Sequence, residues 1–321
     1  MNKFAVVLLK KARILYTKLL KPPDKKHCLK LDYYGQSASD YIKEQLADNK
    51  PCMIGRIGSN ELKATLNYLD IISNHGIVLK STKYIRSEIG PFWWDDKIKF
   101  LMRNGAGFFP ANAAYLKKFA NMMLSDLQNA DVLGSWLFDE IRLANFFPNA
   151  KIVRLTDLEP YYHSDPWSEV LEGKKVLVIH PFEESIKTQY AKHSALFNDP
   201  RVLPKFELKT LKAVQSIAAN ETDFSNWFDA LAWMCNRVRG IDFDIAIIGA
   251  GAYGLPLASF VKSIGKKGIH LGGATQILFG IKGKRWDKLP FFRKLYNDHW
   301  VRPLPEETPK NFRTVESGCY W

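Results

Sequence analysis

The sequence predicts an α/β fold, a mostly parallel sheet covered by helices on both faces. Two observations carry that prediction. From about residue 36 onward, short apolar runs alternate with longer stretches patterned at helical spacing. Asp244–Gly249 also reads as a strand buried on both sides, as strands of parallel sheets are. The size fits: 321 residues with 46% hydrophobic content supply one large core or two modest ones. Charged residues make up 25% of the chain, the ordinary globular level, so disorder is not the default reading.

Taken in order, residues 4–20 read FAVVLLKKARILYTKLL and stop at Pro22-Pro23. Phe4, Leu8, Ala12, Leu15 and Leu19 recur at helical spacing, with lysines and Arg13 interrupting the run. The net charge of the chain is +13, and its first 31 residues hold nine Lys/Arg against the single acid Asp24. A secretory signal would have an unbroken apolar stretch and a small-residue cleavage site, and neither is present. No run of 18 apolar residues occurs to span a bilayer. Residues 1–31 therefore read as a basic amphipathic helix and linker, suited either to an anionic membrane surface or to packing on the domain. A nucleic-acid arm ranks last, because no recognition motif or second basic stripe accompanies it, so no nucleic-acid partner is expected. Four scattered cysteines (Cys28, Cys52, Cys235, Cys319) lack disulfide or zinc spacing. They fit a reducing compartment, and the expected location is the cytoplasm, peripheral on the inner membrane face.

Residues 32–286 form the expected α/β domain. Its helices are expected from Ser37 to Ala47 and over Ser59–Tyr68, Asp95–Arg103, Ala111–Leu127, Glu184–Phe197, Phe224–Arg239, Leu255–Ile264 and Ala274–Phe279. Strands are expected over Pro51–Gly55, Val132–Gly134, Lys151–Leu155, Lys175–His180, Asp244–Gly249 and Gly268–Leu271. The arrangement is Rossmann-like. Residues 287–321, rich in proline, charge and aromatics, are expected as a tail wrapping the domain.

The strand at 244 runs into a turn in which Gly249, Gly251 and Gly254 match G-x-G-x-x-G. Such glycines let the backbone approach a diphosphate at a helix N-terminus. An NAD site would also need an acid about 20 residues on, to hold the ribose. His270 stands there instead, which disfavours that reading. Gly272 and Gly273 follow the next strand, so two glycine turns at adjacent strand ends would make an open floor for a ligand. Lys282, Lys284 and Arg285 then follow, spaced by glycine, as candidates to neutralise a diphosphate, Arg285 first among them. The strand ending at His180 offers that imidazole as base or donor, and Ser185 as a helix cap beside an anion. Each of these also has a purely structural reading: tight packing, a solvated loop, a core histidine.

The segment Gly55-Arg56-Ile57-Gly58-Ser59-Asn60-Glu61 runs from strand to helix, with Ser59 the expected N-cap. It resembles the N-terminal Arg-x-Gly-Asp-x-Glu motif of GT-D glycosyltransferases, matching at Arg56, Gly58 and Glu61. The stretch IIGAGAYGLPLASFVKSIGKKGIHLGG is similar to the closing unit of that class. The HLGGATQILFGIKGKRW ending resembles those of proteins from polysaccharide gene clusters. The resemblance implies a nucleotide-sugar donor, a UDP-sugar in particular, and a glycan or lipid-linked acceptor. In the class the Asp-x-Glu pair is associated with a divalent metal. Ser59 stands at the aspartate here, and a hydroxyl is a weaker ligand for Mg²⁺ or Mn²⁺. Glu61 remains as a metal ligand or a base, and Asp157 with Glu159 after the strand at 151 is the alternative metal pair. The competing readings are a transferase of another phosphate-containing group, an NAD-dependent oxidoreductase and a non-catalytic scaffold of polysaccharide assembly.

Overall fold

The computed structural model describes residues 2–20 and 29–321. The expected helix stop at Pro22-Pro23 lies outside the described residues, as do Lys21, Asp24, Lys25, Lys26 and Cys28. Helix α1 (Lys3–Leu19) precedes the domain. Then follow α2 (Gln36–Ala47), β1 (Cys52–Gly55), α3 (Ser59–Ile72), α4 (Ile77–Ile85), α5 (Asp96–Gly105), α6 (Ala113–Leu127), β2 (Val132–Ser135) and β3 (Lys151–Arg154). The second half runs β4 (Lys175–His180), α7 (Glu183–Tyr190), β5 (Glu207–Lys212), α8 (Trp227–Arg239), β6 (Ile245–Ile248), α9 (Gly254–Ser263), β7 (Lys267–His270), α10 (Ala274–Leu278) and α11 (Pro290–Leu295).

The strands form one seven-stranded sheet in the order β3-β2-β1-β7-β6-β4-β5. Every pairing is parallel. The fold is thus Rossmann-like, and its sheet is wholly rather than mostly parallel. The register places Ile54 between Val132 of β2 and Ile269 of β7. Alternate strand residues feed two cores. Met53, Leu133, Leu177, Ile179, Ala246 and Ile248 pack beneath α3, α5, α6, α8 and α9. There Phe108, Phe119 and Trp227 are fully enclosed, and Trp227 stacks on Tyr253 at 4.7 Å. On the other face Ile54, Val132, Val176, Val178, Ile245 and Ile247 pack against α2, α7, α10 and the later aromatics Trp286, Phe292 and Trp300.

Several helix ends differ from the pattern reading, each for a local reason. α6 and α8 start later than expected because Asn112 and Asn226 cap them, accepting from the N–H groups of Tyr115 and of Phe228 and Asp229. The helix expected to reach Phe197 ends at Tyr190. Beyond it, Asn297 and the Trp300 indole satisfy the Leu196 carbonyl while Leu196 and Phe197 enter the second core. β5 and α4 were not expected at all.

Ser185 is the clearest correction. Helix α7 begins two residues before it, and Phe182 holds the cap position with no side-chain cap bond. The partner of this helix end is Glu307, from the C-terminal segment. Its Oε1 accepts from the N–H groups of Glu184 (2.9 Å) and Ser185 (3.1 Å), and Oε2 accepts from the Ser185 hydroxyl. The protein's own carboxylate therefore occupies the place where an external anion was expected. Replacing Glu307 with alanine leaves two N–H groups and a buried hydroxyl without an acceptor. A loss of about 3 kcal/mol in unfolding free energy is expected. Denaturant titration checks this, and a loss under about 0.5 kcal/mol would show the cap to be dispensable.

Candidate active site

The chain leaves β1 and β6 toward the core of α3 and α9, and leaves β4 and β7 toward that of α7 and α10. Neighbouring strands that send their connections to opposite faces leave a crevice at their carboxyl ends. A cavity of about 130 Å³ lies there. Its walls bring together Arg56, Gly58, Ser59, Glu61, His180, Gly249, Gly251, Gly272, Gly273 and Arg285, which are far apart in sequence.

Gly58, not Ser59, is the N-cap residue of α3, with extended backbone, and Ser59 is the first helical residue. Glycine is required there by its neighbour, since the Glu61 carboxylate folds back over the Gly58 Cα and a Cβ would collide with it. Burial raises the Glu61 pKa above the ordinary carboxylate value, against the pull of its own amide, the Arg56 charge and the Asn60 amide. The Arg56 guanidinium lies over the Trp136 ring at 5.2 Å and beside the Cα of Gly272. Gly272 holds a positive φ of 61°, so a side chain there meets both backbone strain and the arginine. Trp136 is anchored by its indole N–H to the Ile57 carbonyl at 3.0 Å and stays 40% exposed.

Two histidines complete the floor, in opposite tautomers. His180 Nδ1 accepts from the Phe182 N–H at 2.9 Å, which places the ring proton on Nε2. His270 Nδ1 donates to the Ile248 carbonyl at 3.2 Å, which leaves Nε2 with a lone pair. Burial pushes both down to about 3, with the Arg56 charge adding to the effect on His270. The rings sit on glycines: His180 against Gly249, His270 against Gly254. Gly254, an expected phosphate contact, is thus a packing position and does not line the cavity. Sequence reading treated His270 only as a missing acid, and nothing local marked it as part of the site.

Arg285 reaches the cavity, ion-paired with Glu316 at 2.6 Å and 4.8 Å from the Tyr320 ring centroid. Lys282 does not: its amine lies over Tyr296 at 5.3 Å, and its N–H is bonded to the Val301 carbonyl. Lys284 donates to the Ser317 carbonyl at 3.0 Å. Sequence reasoning also missed Glu316, Tyr320 and Trp321 as wall residues. Gln276 ties Tyr320 down through its carbonyl at 3.0 Å. Within this shell the buried atoms Arg56 Nε and Gln276 Oε1 have no hydrogen-bond partner in the protein.

The cavity wall offers a divalent metal few protein ligands. Among the described residues no three His, Cys, Asp or Glu side chains cluster at ligand range. The carboxylates lining the cavity are Glu61 and Glu316, and Glu316 is held by Arg285. Mg²⁺ or Mn²⁺ held by Glu61 would take its other oxygens from water or from a phosphate-bearing ligand. Asp157 and Glu159 do not line the cavity: Asp157 accepts from the Arg154 N–H at 3.2 Å, and Glu159 from the Tyr161 hydroxyl. Burial brings Glu159 up to about 7. No known family, curated protein or solved structure matches this chain.

The histidines make the stability of the site pH-dependent. Their folded pKa values lie below the unfolded value near 6.5, so the unfolded chain binds more protons as pH falls below that. Each stabilising contribution is present above about pH 6.5 and is lost, at about 1.4 kcal/mol per pH unit, as pH falls toward 3. Buried Glu159 and Asp126, raised to about 7 and about 6, act with the opposite sign. The His270→Gln variant isolates one histidine. Between pH 6 and pH 4.5 the slope of its unfolding free energy is expected to be lower than that of the parent by about 1.4 kcal/mol per unit. Identical slopes would mean that His270 titrates normally.

Proposed function

We propose that this chain is a glycosyltransferase that moves a sugar from a nucleotide-sugar donor, a UDP-sugar by class resemblance, to a glycan or lipid-linked acceptor in surface-polysaccharide synthesis. One observation carries the reading. The Arg56–Gly58–Glu61 motif and both glycine turns, which resemble the two ends of a GT-D enzyme, meet with Arg285 around one cavity at the carboxyl edge of the sheet.

In this reading the donor diphosphate lies on the glycine floor. Arg56, Arg285 and the N–H groups of Gly251 and Gly273 offset its charge, and the His180 Nε2–H donates to it. The exposed face of Trp136 offers the base or sugar a stacking surface. An acceptor hydroxyl oxygen attacks the anomeric carbon, and the bond from that carbon to the phosphate oxygen breaks. The electron pair leaves on the diphosphate, and the hydroxyl proton passes to Glu61. Burial supports Glu61 as that base, because a raised pKa strengthens a carboxylate as proton acceptor. No step is assigned to a metal.

Calorimetric titration with UDP, GDP, CMP and NAD⁺, each with EDTA or Mn²⁺, tests the reading. One nucleotide is expected to bind in EDTA. Binding of NAD⁺ alone would favour an oxidoreductase, and no binding at all a scaffold. Arg56→Ala is expected to weaken nucleotide binding about 10- to 100-fold, through loss of charge-assisted hydrogen bonds. Glu61→Gln is expected to cut turnover about 100-fold or more while leaving nucleotide affinity nearly unchanged. Full turnover in that variant, with the fold intact, would remove Glu61 from the mechanism.

A further inference from the structure

We propose that α1 and the first turn of α4 form a docking face for a lipid bilayer rich in anionic headgroups. The inference goes beyond the catalytic reading and does not depend on it. It rests on how α1 is attached. Among the described residues its polar attachments to the body are two: Lys10 pairs with Asp95 at 2.7 Å, and Arg13 donates to the Ile89 carbonyl at 3.2 Å while lying 4.6 Å from the Tyr84 ring centroid. No residue of α1 is buried. Its larger apolar side chains point outward, with Phe4 70%, Leu15 60% and Leu19 72% exposed. A helix that covered the core would show the reverse pattern.

Helix α4 packs against α1 and carries exposed apolar residues of its own. Ile77, Val78 and Leu79 are consecutive in its first turn and all exposed, Val78 by 77%. Such an apolar surface left in water marks an interaction site.

Charge selects the occupant. α1 carries five basic residues and no acid. Lys3, Lys11 and Lys18 form no ion pair among the described residues, and in the proposal they meet phosphate headgroups while the apolar side chains enter the acyl boundary. A second copy of the helix would bring the same positive charge and repel. A nucleic acid would leave the apolar side chains wet. No helix among the described residues is long and apolar enough to cross a membrane, so the contact is one of lying on the surface. The face also has a fixed relation to the cavity. Asp95, the partner of Lys10, caps α5, and the last residue of α5, Gly105, lines the cavity. That helix spans about 15 Å at 1.5 Å per residue.

Vesicle co-sedimentation of the full chain tests the proposal. Vesicles of phosphatidylcholine mixed with phosphatidylglycerol are expected to capture it at least tenfold more strongly than phosphatidylcholine alone, with release as salt rises. Leu15→Ser with Leu19→Ser, and separately Val78→Asp, are expected to weaken capture at least tenfold. These positions are exposed, so thermal stability and nucleotide titration should not change, which keeps this test separate from that of the catalytic reading. Equal capture by neutral vesicles, or capture unaffected by these substitutions, would overturn the proposal. So would a concentration-dependent dimer that the same substitutions abolish.

Discussion

Four glycines at the carboxyl edge of the sheet each hold a polar side chain from elsewhere in the chain. Glu61 folds over Gly58, His180 lies on Gly249, His270 on Gly254 and the Arg56 guanidinium beside Gly272. A Cβ at any of the four would enter the space of its occupant. The constraint is mutual, since the backbone can approach the cavity only where side chains are missing, and the polar groups reach their positions by filling those gaps. It gives a physical reason for the glycine density of these turns that a phosphate-binding motif alone does not.

Burial then sets the electrostatics. Desolvation keeps both histidines neutral and raises the Glu61 pKa, and the guanidinium groups of Arg56 and Arg285 are the positive charges on the wall. Arg285 is partly spent on Glu316. Arg56 forms no ion pair among the described residues, and its Nε is unpartnered. In the proposed reading such a wall suits an anion with several hydrogen-bond acceptors, to which the His180 Nε2–H would donate. The chemistry thus follows from the sheet order, which places the ends of β1, β7, β6 and β4 side by side.

The sequence made the sheet largely legible because six strands are short apolar runs between helical patterns. β5 escaped because ELKTLK, on the sheet edge, carries charged residues at its exposed positions and reads as solvated. α4 escaped because its first-turn apolar residues face solvent, so no core stripe marks it. At the site, Arg56, Gly58, Glu61 and the glycine turns were legible as motifs, since spacing along the chain encodes them. What pairs with what was not. Glu307 taking the anion's place at Ser185, His270 displacing Gly254 from the floor, and Glu316, Tyr320 and Trp321 joining the wall all arise from contacts across long sequence separations. Lys282 and Arg285 are three residues apart, yet only Arg285 reaches the cavity. Composition and spacing cannot separate the two.

The most direct measurement is a glycine-selective ¹⁵N spectrum of the protein recorded as UDP is added. If the glycine floor binds the diphosphate, the amides of Gly249, Gly251, Gly272 and Gly273 shift together with a single affinity, while those of Gly173 and Gly265, in exposed turns, stay in place. Shifts confined to glycines outside the cavity, or none at saturating nucleotide, would contradict the account.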